Sequence, residues 1–335
     1  MTHGAIAIGV DAGGTNTKGV LIASDGCILA QTAMPTGCAL GTAGITECII
    51  ETVRGLLAKS GTKLSDLQGI GVAFAGGITD EGIVQWTVHI GEGWAGYDLG
   101  TTLASCFPTA FHFALDVHAA ALGEGSFGAA RGVSCYVVVT VGTGIGAGIV
   151  VNGRVFTGGL GTAGNIGHTI VDDKNQRRCS CGNWGCLETL AGADALSREA
   201  IELVHRGGGT RLSVLCKGNP QGITPHVIYE AAQQGDEAAA AIFQEAGRYF
   251  GIALLNLVDI LAPEMVVVGG GISEAGDLFL DPVREQVRKR AWPPIARQVR
   301  IVPALLGNLS GAFGAAAMVL NDIRINRRGE DSPEC

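Results

Sequence analysis

Residues 5–32 read Ala5-Ile-Ala-Ile-Gly-Val10, Asp11-Ala-Gly-Gly-Thr15, Asn-Thr-Lys18-Gly-Val-Leu-Ile-Ala23, Ser24-Asp25-Gly26 and Cys27-Ile-Leu-Ala-Gln-Thr32. The pattern predicts a strand over Ala5–Val10, a glycine turn over Asp11–Thr15, a second strand over Lys18–Ala23 and a third over Cys27–Thr32. The chain thus opens as an antiparallel meander whose first turn is rich in glycine. The middle of the chain repeats this plan. Cys135–Val141 reads as a strand, Gly142-Thr-Gly-Ile-Gly-Ala-Gly148 as a second glycine turn, and Ile149–Val151 as the returning strand. Asn152-Gly153 is a hairpin signal leading to a third strand at Arg154–Thr157. Two halves with one plan imply an internal duplication.

Between these repeats, Ile45–Ser60 has helical periodicity and Gly69–Phe74 reads as a buried strand. Asp236–Leu261 reads as a long helix with Asp236 as N-cap. Met265–Val268 is a short buried strand entering Gly269-Gly270-Gly271. At 335 residues the chain is too long for one simple core, and two domains are expected. The expected division is residues 1–117 plus 302–323, residues 118–301, and a flexible tail at 324–335.

Acidic residues outnumber basic ones by 31 to 23, and basic runs such as Arg288-Lys289-Arg290 and Arg327-Arg328 are short, so no track for a polyanion is present. Nucleic acid is therefore not an expected partner. No secretory signal is visible, since Ala5–Val10 is short and lacks a basic start. Val133–Val151 approaches the length of a membrane span, but Gly142, Gly144, Gly146 and Gly148 interrupt it, so strand, turn and strand is the reading. A cytoplasmic protein with reduced thiols is expected.

Glycine turns between strands can present backbone N–H groups to phosphate oxygens, and a missing Cβ permits close approach. Candidate nucleotide-binding residues are Asp11, Gly13, Gly14, Thr15 and Lys18 in the first turn, and Gly142, Thr143 and Gly144 in the second. Gly269, Gly270 and Gly271 form a third run. Asp11 can hold Mg2+, directly or through water. Any one run alone is equally a tight hairpin. Three runs, each following a strand, point to a nucleotide. None is a Walker loop, and the first two return into strands, unlike a dinucleotide fingerprint.

Cys179-Ser-Cys181-Gly-Asn-Trp-Gly-Cys186 places three thiols within eight residues, with His168 eleven residues upstream. Three thiolates and an imidazole make a closed tetrahedral site for structural Zn2+. A disulfide is disfavoured in the cytosol, and an iron–sulfur cluster ordinarily uses a fourth cysteine. With four protein ligands the metal has no open position, so its expected role is to fix the loop carrying His168 and Glu188.

Asp11-Ala-Gly-Gly-Thr-Asn-Thr-Lys18, Gly142-Thr-Gly-Ile-Gly-Ala-Gly148, Gly269-Gly-Gly-Ile-Ser273 and the Gly-His plus Cys-x-Cys-Gly-x-x-Gly-Cys-x-Glu pattern resemble the motifs of the ROK family of repressors and kinases. The resemblance runs from about Ile6 to Leu320. It implies an α/β fold of two actin-like (ribonuclease H-like) domains with a cleft between them, in which a C-terminal helix, here Gly311–Leu320, packs on the first domain. It implies ATP with Mg2+ as donor and a sugar-like acceptor, and it suggests a homodimer. Leu115-Asp-Val-His-Ala-Ala-Ala-Leu-Gly-Glu124 is similar to the segment carrying the family's catalytic base, which would be Asp116. From the residues alone, Asp116 is a helix N-cap and Glu188 a first-turn carboxylate. The resemblance places Gly76, Asn165, His168 and Glu188 with Asp116 around the acceptor.

This chain departs from the family pattern at the acceptor. Leu115 and His118 stand where the family has asparagines, Asn165 where it has glutamate, and Ala75-Gly76 where it has Pro-Gly. Leu115 cannot hydrogen-bond through its side chain, and Asn165 can donate as well as accept. Leaving a buried hydroxyl unpaired costs roughly 1–3 kcal/mol. An unusual, modified or amino sugar, or a cyclitol, is therefore expected ahead of glucose. A glucokinase-type hexose kinase, a sugar-responsive repressor and a non-catalytic sugar sensor are the competing readings, and polyphosphate is a competing donor. The repressors of the family carry an N-terminal DNA-binding module, for which a first strand beginning at Ala5 leaves no room, so a kinase is expected.

Overall fold

The computed structural model describes residues 4–37, 41–87, 90–174, 177–207 and 210–325. Twelve strands occur among them: β1 (Ile6–Ala12), β2 (Asn16–Ala23), β3 (Ile28–Pro35), β4 (Ile70–Phe74), β5 (Gly76–Ile78), β6 (Val84–Thr87), β7 (Phe111–Leu115), β8 (Tyr136–Val141), β9 (Ile145–Val151), β10 (Arg154–Val155), β11 (Met265–Gly269) and β12 (Arg300–Pro303). The helices are α1 (Gly41–Ser60), α2 (Leu99–Cys106), α3 (Asp116–Ser126), α4 (Glu188–Ala191), α5 (Ala193–His205), α6 (Leu212–Leu215), α7 (Pro225–Gln233), α8 (Glu237–Leu261), α9 (Asp277–Arg290), α10 (Pro293–Ala296) and α11 (Ser310–Leu320).

The duplication expected from the repeated meander is present in the topology. One five-stranded sheet runs β3-β2-β1-β4-β7 and a second β10-β9-β8-β11-β12, while β5 and β6 pair in a two-stranded sheet. Each five-stranded sheet therefore places a three-strand meander beside two later strands. In the first sheet, β1 pairs antiparallel with β2, setting Asp11 opposite Lys18, and parallel with β4. In this sheet β1, β2, β4 and β7 are largely buried, as strands covered on both faces require, whereas the edge strand β3 is mostly not.

The chain divides into two compact units, one of Met1–Val138, Ala147–Gly164 and Ala304–Cys335, the other of Val139–Gly146 and Asn165–Pro303. The expected boundary after residue 117 differs, because residues 118–138 and 147–164 join the first unit. Packing explains the difference. Helix α3 and helix α11 meet through glycine: a Cβ at Gly314 would lie 1.6 Å from the Ala119 carbonyl oxygen. Helix α11 also lies directly on the first sheet, where a Cβ on Gly71 would come within 1.9 Å of Ala315 O. Its Ala- and Gly-rich sequence is buried over Ser310–Val319, so backbone approaches backbone with little side-chain volume between. On the opposite face, Ile45, Ile49, Val53 and Leu56 of α1 pack into a core with Phe74, Trp94 and Phe113.

In the second unit, α8 begins as expected. Asp236 accepts the Ala238 and Ala239 N–H groups at 3.0 and 3.1 Å, satisfying two donors that a helix start leaves unpaired. Helix α9 packs on α8 across Gly247 and Gly251.

Several expected boundaries shift. Asp11 lies inside β1, not in the turn. The second glycine turn is only residues 142–144, because β9 already starts at Ile145. Gly146 and Gly148 are strand residues, and a Cβ at Gly148 would lie 2.2 Å from Val117 O. Glycine there serves close approach to α3, not a turn. The third strand of the repeat is also shorter than expected, ending at Val155. The expected tail lies outside the described residues beyond residue 325. Among the described residues no helix is long and apolar enough to cross a membrane.

Candidate active site and metal centre

In the first unit, the β1–β2 turn of Gly13, Gly14 and Thr15 is braced from behind. Thr36 donates from Oγ1 to Gly13 O at 2.7 Å and from its backbone N–H to Thr15 O at 3.0 Å. The Thr36 and buried Thr17 hydroxyls pair at 3.1 Å. The turn is thus anchored at its base, while Thr15 stays exposed. Asp11 precedes it, with its carboxylate against the first turn of α11: a Cβ at Gly311 would lie 2.7 Å from Asp11 Oδ2. Desolvation pushes the Asp11 carboxyl up to about 6, and the charge of Lys18 opposes this. A cation beside Asp11 would restore the anion.

Asp116 stands at the junction of β7 and α3. It is the first helical residue and not the N-cap; that position is Leu115, whose side chain makes no cap bond. The Asp116 carboxylate accepts its neighbour's Val117 N–H at 2.7 Å. Leu115 is 8% exposed. His118, in the first turn of α3, is fully buried, and its Nε2 lies 3.1 Å from Ala163 O. A carbonyl only accepts, so Nε2 carries the hydrogen. Burial lowers the His118 pKa, which keeps the ring neutral. Gly76, at the start of β5, is buried, and its Cα faces the Trp86 carbonyl across the β5–β6 hairpin.

In the second unit, His168, Cys179, Cys181 and Cys186 converge, each ligand atom within 4.8 Å of the others. Cys179 Sγ lies 3.5 Å from His168 Nδ1, and Cys181 Sγ lies 3.7 Å from Cys186 Sγ. Tetrahedral zinc with sulfur at about 2.3 Å and nitrogen at about 2.05 Å requires S···N near 3.5 Å and S···S near 3.8 Å. A disulfide would need about 2.05 Å between sulfurs. The four residues therefore fit a zinc ion. Burial pushes the Cys186 thiol up to about 12, while the Asn183 backbone N–H lowers that of Cys181. A metal bound there would displace the Cys186 proton. With Nδ1 facing the sulfurs, His168 Nε2 remains for another partner.

Glu188 opens α4, two residues after Cys186. Its Oε2 accepts the Ile145 N–H at 3.1 Å. Ile145 directly follows Gly142, Thr143 and Gly144, and Gly142 O accepts the Ala193 N–H at 2.9 Å. The cysteine loop and the second glycine turn are thus joined through α4 and the start of α5. No spacing signal announces this link, because it bridges 43 residues. Asn165 precedes a short turn and accepts the His168 N–H at 3.1 Å through its carbonyl. In the third run, Gly269 ends β11, and Gly270 takes φ 89° with its Cα against the Val141 backbone. Gly271 begins the turn that follows. A cavity of about 620 Å³ lined by Leu190, Leu196, Ile242, Arg177 and Glu199 contains none of the expected site residues.

Two β-meander sheets of equal topology, with glycine turns after their first strands, define a two-domain α/β protein of the actin-like type. The solved structure of a ROK family glucokinase from Streptomyces griseus, in complex with glucose and AMPPNP, matches with a TM-score of 0.83 at 31% identity, over 94% of this chain and 99% of that one. A glucokinase of Halalkalibacterium halodurans is 34% identical over 97% of this chain and 98% of its own. A xylose repressor of Caldicellulosiruptor bescii is 34% identical over 76% of this chain and 63% of its own length. The ROK family model matches residues 7–322. The chain belongs to the ROK family.

Proposed function

We propose that this protein is an ATP-dependent kinase that phosphorylates a hydroxyl of a sugar or sugar-like acceptor. The observation that carries this reading is the Asp116 carboxylate at the start of α3, in a family whose relatives include named glucokinases over nearly the whole chain. The glucose and AMPPNP held by the Streptomyces griseus relative support a nucleoside triphosphate donor and a hexose-like acceptor. Bound MgATP supplies the phosphoryl group. Asp116 accepts the proton of the attacking hydroxyl as the new bond forms. Gly13, Gly14, Thr15 and Lys18, the turn Gly142–Gly144, and Gly269–Gly271 hold the nucleotide, with Asp11 toward Mg2+. Gly76, Asn165, His168 and Glu188 recognise the acceptor. Zinc on His168, Cys179, Cys181 and Cys186 is structural. A homodimer in a reducing, cytoplasmic setting completes the reading.

The acceptor class follows from the departures at Leu115 and Asn165, which favour an unusual, modified or amino sugar, or a cyclitol. A glucokinase is the second reading, favoured by the names of the relatives and by the bound glucose in one of them. A coupled ADP-release assay over an acceptor panel separates the two, and glucose far ahead of every other acceptor would establish the second. Asp116→Asn tests the kinase itself. We expect kcat to fall about 10²–10⁴-fold with little change in the KM for ATP. A variant retaining wild-type turnover would remove Asp116 as base. A ligand response with no turnover in the wild type would make the chain a sensor.

A further inference from the structure

We infer that Glu188 is a positioning residue for the second glycine turn, so that the carboxylate assigned to the acceptor also shapes the nucleotide side. The inference deepens the proposed function and rests on it. Its basis lies wholly within the second unit. Ile145 N–H donates to Glu188 Oε2 at 3.1 Å. That N–H is the first after Gly142-Thr143-Gly144, where the chain turns from β8 into β9. A second tie lies beside it, from Ala193 N–H to Gly142 O at 2.9 Å. Gly192 lies close against this arrangement, since a Cβ there would come within 2.7 Å of Glu188 O and 3.4 Å of Thr143 O. Both ends of the glycine turn are therefore fastened to the α4–α5 junction.

That junction is itself fastened to the metal loop. Leu187 N–H donates to Thr169 O at 3.0 Å, and Thr189 Oγ1 donates to Cys186 O at 2.8 Å. Ile170 and Cys186 form a β-bridge, and Arg198 donates to Thr189 O at 2.9 Å. Glycine turns have little intrinsic preference for one conformation. A turn that must present backbone N–H groups to phosphate needs outside bracing. A bond from a backbone N–H to a carboxylate is among the stronger braces available.

The test separates this role from acceptor binding by binding alone. Glu188→Ala, Glu188→Gln and the wild type are titrated with MgADP by calorimetry without acceptor, and hydrogen exchange of residues 142–146 is followed in the same proteins. Glutamine keeps an oxygen for the Ile145 N–H and loses the charge. We expect Glu188→Ala to weaken MgADP about tenfold and to speed exchange at 142–146 by a similar factor. Glu188→Gln, keeping a weaker neutral bond, should lose only about threefold on both measures while still raising the acceptor KM. Unchanged MgADP affinity and exchange in Glu188→Ala would overturn the inference and leave Glu188 an acceptor ligand only. Equal losses in Gln and Ala would also overturn it. If the wild type binds no MgADP, the nucleotide reading fails, and the exchange comparison still decides whether the tie exists. If Glu188→Ala does not fold, Glu188→Asp, one methylene too short to reach Ile145, takes its place in both measurements.

Discussion

Replacing Asp11 by asparagine should make the unliganded protein more stable at neutral pH, although the residue belongs to the candidate nucleotide site. Burial raises the Asp11 carboxyl from its ordinary 3.8 to about 6. The unfolded chain loses this proton near 3.8, while the folded chain keeps it to about 6. Between those values the folded state holds one more proton, so stability falls as pH rises through the window. Below 3.8 the group contributes no penalty. Above 6 the full penalty applies, roughly 3 kcal/mol by the difference of the two values. Asp11 keeps some solvent access, which reduces the figure to about 1–2 kcal/mol. Asparagine has the same shape and no charge, so it removes the penalty at pH 7.5 and changes little near pH 4. Urea unfolding of both proteins without nucleotide, at pH 4.5 and 7.5, measures the difference. The same variant should bind MgADP more weakly, because the charge that costs stability is the one a cation needs. An asparagine variant less stable than the wild type at pH 7.5 would refute the reasoning. It would mean that Lys18 and the first turn of α11 outweigh desolvation and hold Asp11 as a stable anion.

Cys181→Ser should remove bound zinc, with metal analysis falling from about one ion per chain to a small fraction, and should lower the melting temperature. Wild-type protein purified free of zinc, with all four ligand side chains reactive, would exclude the metal centre. Glu124 is fully buried, and its carboxylate accepts Ala129 N–H at 2.8 Å, Leu305 N–H at 3.2 Å, Leu306 N–H at 3.0 Å and Ser310 Oγ at 2.7 Å. Glu124→Ala strands these four donors and should cost roughly 3–5 kcal/mol in urea unfolding.

Much of this was legible in the sequence because short-range spacing carried it. The cysteine cluster converges as its spacing suggested, since ligands so close along the chain can meet with little else required. The repeated meander predicted the repeated sheet topology. Long-range relations were not legible. Glycine has several uses, and the run 142–148 mixes a turn at 142–144 with a packing site at Gly148, which composition cannot separate. The unit boundary moved because α3 and α11 touch backbone to backbone, a contact made by residues far apart in the chain. From the residues alone Glu188 signalled a helix start, and the resemblance gave it an acceptor contact, but neither pointed to Ile145. Its bond to Ile145 depends on how β9 and α4 come together, which no local pattern records.

Leu115 poses the sharpest question about the acceptor, because two effects meet at one side chain. It occupies the N-cap of α3 with φ −59° and ψ 136°, and its side chain caps nothing. Asparagine at such a position is worth about 1 kcal/mol as a cap. Leucine, 8% exposed, recovers about 1.5–3 kcal/mol by burial instead. Leu115→Asn should therefore be slightly less stable, by about 1 kcal/mol, despite gaining the better cap. Beside the proposed base, the same change adds a polar group to the proposed acceptor's surroundings. If Leu115 sets specificity, kcat/KM for glucose relative to the best acceptor should rise about five- to tenfold, the worth of one hydrogen bond. Leu115→Ala loses the packing without gaining an amide, so it separates the two contributions: it should lose stability and leave the acceptor ratio where it was. An unchanged ratio in Leu115→Asn would confine Leu115 to the core and leave Asn165 to account for the preference. A ratio that shifts equally in both variants would trace it to the packing under Asp116, not to a missing hydrogen bond.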